Sequence, residues 1–103
     1  MIKVTVLYPN GNGTRFDMKY YVTSHMPMVK QTIGAAVKGM GAEQGVGTAP
    51  PGTQAPFAAI GYLLFDSVEA FGAAFAQHAP KILADIPNYT NIQPVIQVGE
   101  ITL

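Results

Sequence analysis

Few side chains in this 103-residue chain can do chemistry near neutral pH: the histidines His25 and His78, six carboxylates and five tyrosines, with no cysteine. Asp17, Tyr21 and His25 stand at i, i+4 and i+8, a spacing that on a helix sets them one above another on a single face. A hydroxyl between a carboxylate and an imidazole can hold one imidazole tautomer and tune its basicity, which prepares a general acid or base. The same residues also fit a structural role, with Asp17 on the positive helix end, Tyr21 packed on a sheet and His25 capping the joint before Pro27. His78-Ala79-Pro80 repeats the pattern of His25-Met26-Pro27 half a chain later. At the same offset Ala70 and Ala74 replace Asp17 and Tyr21, so His78 lacks the supporting row and reads as a polar residue ending the second helix.

Other chemistries find no support. Gly11-Asn12-Gly13-Thr14-Arg15-Phe16 begins like a dinucleotide fingerprint, but Phe16 occupies the third glycine position and no phosphate cradle follows. No Gly-x-Ser-x-Gly elbow presents a serine nucleophile, and the absence of cysteine removes thiolate catalysis, disulfides and Cys-ligated metals. Two histidines in separate segments show no metal-ligand spacing, so neither metal nor cofactor is expected. Six basic and six acidic side chains cancel, without the basic cluster that nucleic acid or an anionic membrane requires. No apolar run approaches the ~20 residues of a membrane span, and the N-terminus alternates at once rather than opening as a signal peptide. A cytoplasmic protein is expected.

The elements that must position His25 follow from periodicity. Ile2, Val4, Val6 and Tyr8 alternate with Lys3, Thr5 and Leu7 as in a half-buried strand, ended by Pro9 and the stretch Asn10 to Gly13. From about Phe16 to Gly34 the period becomes helical, with Pro27 expected to open a second segment at its first turn. The glycine-rich stretch Ala35 to Gly45 reads as a strand, residues 45 to 56 as a loop, and Phe57 to Phe65 as a strand apolar on both faces. Asp66 and Glu69 suggest a capping box that starts a second helix, broken into short turns by Pro80 and Pro87, before a last strand within Ile92 to Leu103. The order β-α-β-β-α-β is that of a ferredoxin-like α+β domain over residues 1–103, an antiparallel four-stranded sheet with both helices on one face.

Such a sheet leaves its other face wet, yet the strand 57–65 is apolar on both sides, and 49% of the chain is apolar against 12% charged. The simplest cover is the same face of a second copy, so a homodimer is expected, with apolar pockets between or beside the two sheets.

Several segments resemble the EthD family, small proteins associated with ethyl tert-butyl ether degradation. They are Val4-Thr5-Val6-Leu7-Tyr8-Pro9, Phe16-Asp17 with Tyr20-Tyr21, His25-Met26-Pro27, Ala84-Asp85-Ile86-Pro87-Asn88-Tyr89-Thr90, and Gln93-Pro94-Val95-Ile96-Gln97. The resemblance implies a dimeric α+β barrel, an architecture that also hosts cofactor-free monooxygenases, isomerases and cyclases. It further implies His25 as acid–base group with Tyr21 and Asp17 behind it, acting on a small apolar or aromatic ligand, and His78 and Asn88 as ligand-binding residues; Tyr62 of the strand 57–65 is a further ligand-binding candidate. Three functions follow as expectations: a cofactor-free oxidoreductase in or beside oxidative catabolism, a non-catalytic hydrophobic carrier, and an isomerase or cyclase with one general base.

Overall fold

A computed structural model describes all residues, 1–103. Strand β1 (Ile2–Pro9) is followed by a helix, α1, that runs without interruption through Met18–Tyr20, Tyr21–His25 and Met26–Ile33, then β2 (Gly39–Gln44), β3 (Phe57–Phe65), helix α2 (Val68–Ala84) and β4 (Val95–Glu100). The strands lie in the order β2-β3-β1-β4, every neighbour antiparallel. This is the ferredoxin-like α+β arrangement that the sequence order implies.

The departures are local and have physical causes. Pro27 does not break α1, because the preceding residues Tyr21–His25 form a π turn, with the Met26 N–H donating to the Tyr21 carbonyl. The wider turn makes room for the proline ring where an α-helix would press it against the carbonyl four residues back. The cap of α2 sits one residue later than expected: Ser67 is extended and its Oγ accepts from the Ala70 N–H at 3.1 Å, while Asp66 points to Lys38, 3.8 Å away on the surface. Pro80 lies inside α2, which continues to Ala84. Its exposed side of the helix lets water serve the carbonyl left without a donor.

Ile2, Val4, Val6 and Tyr8 face the helices, as their alternation requires, but they are not equally covered: Ile2, Val4 and Tyr8 are buried and Val6 is only half-buried. Two core clusters explain the difference. Tyr8, Tyr21, Met26, Ala59, Tyr89 and Ile92 form one, and Ile2, Val4 and Phe65 form the other. Val6 lies between them, against a space the core does not fill. Only 15 of the 103 residues are buried, so the apolar excess of the sequence is not consumed in a conventional core.

The opposite face of the sheet presents Leu7, Ile60, Tyr62 and Leu64, and no element of the chain lies over it. The shortest dimension of the molecule is 19 Å, the depth of one sheet and one helix layer. No helix is long and apolar enough to cross a membrane.

Candidate functional site

The turn that follows α2 is docked on the start of α1, and this docking builds the site. Asp85 closes α2, Ile86–Asn88 form a single 3₁₀ turn that includes Pro87, and Tyr89 and Thr90 come next. Thr90 bridges to Phe16 and donates its hydroxyl to the Arg15 carbonyl at 2.7 Å, while the Asp17 N–H donates to the Tyr89 carbonyl at 2.7 Å. Residues 85–89 are thereby held against the inner face of α1, where the π turn displays Tyr21 and His25. Their rings stack with centroids 5.5 Å apart and planes 13° from parallel, because the π turn nearly superposes residues four apart.

His25 is buried, and its two nitrogens meet different partners. Nδ1 is 2.8 Å from Asp85 Oδ2, and Nε2 is 3.4 Å from the Tyr89 hydroxyl, which is itself 2.7 Å from the Tyr8 hydroxyl. Asp85 also accepts at Oδ1 from the Tyr20 hydroxyl at 2.7 Å and from Asn88 Nδ2 at 2.9 Å. Burial pushes Asp85 upward, but these hydrogen bonds outweigh it and hold the carboxyl below its ordinary range. Burial dominates at His25 and lowers its pKa despite the carboxylate beside it. The pair therefore rests near neutral pH as a carboxylate and a neutral imidazole, protonated on Nδ1 toward Asp85 and bare at Nε2. Burial likewise raises the phenols of Tyr8, Tyr21 and Tyr89, which stay protonated.

The unfilled space beside Val6 is a cleft between the helices and the sheet, of about 70 Å³, whose walls are almost wholly apolar. Val4, Val6, Leu63, Val29, Phe71 and Phe75 are among its lining, and Tyr8, Tyr21 and His25 form its polar end. Leu83 and Ile96 also line it while being 45% exposed, so they stand at its mouth. An apolar cavity that holds benzene measures roughly 150 Å³. A one-ring ligand therefore requires a mouth side chain to swing outward.

The expected site residues divide. His25 and Tyr21 are brought together at the cleft. Asp17 is not part of the row: its carboxylate accepts from the Tyr20 N–H at 3.1 Å as the cap of α1, and Asp85 takes the place beside the imidazole. Asn88 supports Asp85 from the outside rather than lining the cleft. His78 lies within α2, six residues before its end and away from the cleft lining, so it neither terminates the helix nor meets the site. Tyr62 lies on the opposite face of the sheet, beneath the Lys3 ammonium at 5.2 Å and over Gly41. The cleft lies within one chain, on the helix side of the sheet, where the helix layer and the sheet part around Val6.

Sequence reasoning missed Asp85, Tyr89 and Tyr8. A signal for Tyr8 was present, since it is the one hydroxyl on the inward face of β1; Asp85 was hidden because a helix broken at Pro80 leaves it unplaced. No group of three His, Cys, Asp or Glu side chains is gathered anywhere in the chain.

Residues 14–93 match the model of the EthD domain. The chain is 43% identical to an EthD-like protein of Ralstonia eutropha JMP134, over 99% of this chain and 92% of that one, with a TM-score of 0.94. It shares its fold with an ethyl tert-butyl ether degradation family protein of Bacillus halodurans C-125, at 17% identity, 99% coverage of both chains and a TM-score of 0.68. It also shares it with a protein of Arabidopsis thaliana, at 13% identity, 100% and 97% coverage and a TM-score of 0.70. No curated protein matches.

Proposed function

The chain belongs to the EthD family, and on that footing we propose that residues 1–103 act as one domain that binds a small apolar or aromatic molecule. Its place is in or beside the oxidative catabolism of ethers or other xenobiotics, in the cytoplasm, as a cofactor-free oxidoreductase with His25 as its acid–base group. The observation that supports this reading most is the state of His25. Asp85 fixes the proton on Nδ1, and the buried imidazole keeps Nε2 unprotonated, facing the Tyr89 hydroxyl behind the polar end of an apolar cleft. A base so held can take a proton from a bound molecule, and Asp85 stabilises the imidazolium that results. The electron-rich anion left behind is the species that dioxygen can oxidise without a bound cofactor.

The carrier reading draws on a different observation, the nearly complete apolar lining of the cleft, which retains a ligand without acting on it. An isomerase or cyclase would use the same base and return the proton elsewhere on the substrate. Mass spectrometry of molecules that co-purify with the protein, followed by oxygen-uptake assays on ethers, phenols and lactones, identifies the substrate. With it, His25→Ala is expected to abolish turnover while the ligand still binds. Turnover that survives His25→Ala overturns His25 as the acid–base group, and a change in affinity alone, with no turnover by either protein, favours the carrier.

A further inference from the structure

We propose that the cleft selects a hydrogen-bond donor: a small apolar molecule bearing a phenol-, enol- or alcohol-type O–H, which it directs at the hydroxyl oxygen of Tyr8. This rests on the cleft being the ligand site, as proposed above, and on the direction in which the buried hydrogen bonds run.

The direction is set at Asp85. Its Oδ1 accepts from Tyr20 and Asn88, so it is a carboxylate, and Oδ2 at 2.8 Å must accept from His25 Nδ1–H. Nε2 is then a buried lone pair, and the hydroxyl within its reach is that of Tyr89 at 3.4 Å. A buried acceptor left without a donor is costly, and catalytic hydrogen bonds that are long in an empty site tighten on binding. The single Tyr89 proton therefore points at His25. The Tyr89 oxygen can then only accept from Tyr8, 2.7 Å away, and the Tyr8 proton points at Tyr89.

Tyr8 and Tyr21 line the cleft and Tyr89 does not. At the polar end the ligand therefore meets the Tyr8 oxygen as an acceptor, and most of the remaining wall is hydrocarbon. An ether or ketone oxygen placed there faces lone pair against lone pair; an O–H completes the row. The same row carries a proton inward. The ligand O–H proton passes to the Tyr8 oxygen as Tyr8 passes its own to Tyr89 and Tyr89 its own to Nε2. The products are an oxyanion, two neutral phenols and an imidazolium paired with Asp85.

Three fluorinated probes of one ring size test this by ¹⁹F NMR titration: 4-fluorophenol, 4-fluoroanisole and fluorobenzene. The phenol is expected to bind about tenfold more tightly than the anisole, the value of one well-made hydrogen bond in an apolar site. Tyr89→Phe leaves the cleft wall unaltered but frees the Tyr8 proton to turn outward, and is expected to bring that ratio close to unity. Equal or tighter binding of the anisole by the unmodified protein overturns the donor rule while the cleft stands as a ligand site. Failure of all three probes to bind overturns the cleft reading and this inference with it. A ¹⁵N spectrum of the unmodified protein gives a check independent of any variant: His25 must carry its proton on Nδ1, and a proton found on Nε2 reverses the row and sinks the proposal.

Discussion

At the scale of single residues the decisive fact is that His25 is stabilised in its neutral form and is tied to Asp85. Its folded-state pKa lies below the ordinary 6.5, so the unfolded chain binds the proton more readily. The stability this contributes is present above pH 6.5 and is lost as pH falls below it; Asp85, also lowered, adds a second loss that begins below its ordinary 3.8. Denaturant melts from pH 8 to pH 3 should therefore decline in two acid steps, and a His25 C2–H titration midpoint above 6.5 would contradict the assignment. Asp85→Asn removes the one neighbour that raises the imidazole. The His25 midpoint is then expected to fall further, and turnover on the substrate, once known, to drop on the order of 10²-fold. Asp17→Asn, which touches only the cap of α1, should leave the midpoint where it was.

Among the elements, the closeness of α1 to the sheet is what brings the imidazole to the cleft. The Tyr21 hydroxyl lies directly over Gly61 of β3, where any Cβ would collide with it. Gly61→Ala must push Tyr21 away, and with it the stacked His25. The expected cost is about 1–3 kcal/mol by urea unfolding, together with a changed His25 chemical shift. An unchanged shift and full stability would mean that α1 is not seated on Gly61. The neighbouring Gly41→Ala collides instead with the Tyr62 ring on the far face and should leave the His25 signals in place. The π turn belongs to the same scale. Pro27 in the sequence indicates a disturbed helix, but only a partner packed on both sides of residue 25 decides whether the chain breaks there or widens.

For the whole molecule, the uncovered apolar face of Leu7, Ile60, Tyr62 and Leu64 is where a second copy is proposed to pair. Pairing of two copies through it would bury an apolar patch away from the cleft, and a stable interface of this kind covers roughly 800 Å² per partner. Sedimentation of the unmodified protein at micromolar concentration is expected to give a dimer, and Ile60→Lys a monomer with its His25 titration unaltered. A monomer in both cases would leave this face to another partner. Tyr62 lies on this face, beneath the Lys3 ammonium.

Much of this was legible from the chain alone. Alternation in 2–8 and 57–65, the helical period after Phe16 and the order of elements determine the fold, because period and burial are local properties repeated along each element. His25 and Tyr21 were legible for the same reason, being four apart on one element. The partner of the imidazole was not. Asp85 and Tyr89 reach His25 across 60 and 64 positions of chain, through a helix that carries its proline on the wet side and a turn pinned by Thr90. Which carboxylate holds the imidazole, which way the hydroxyl protons run, and where the apolar excess leaves a cleft are set by how two layers pack. Spacing along one element cannot encode contacts between elements, and only the tertiary structure decided them.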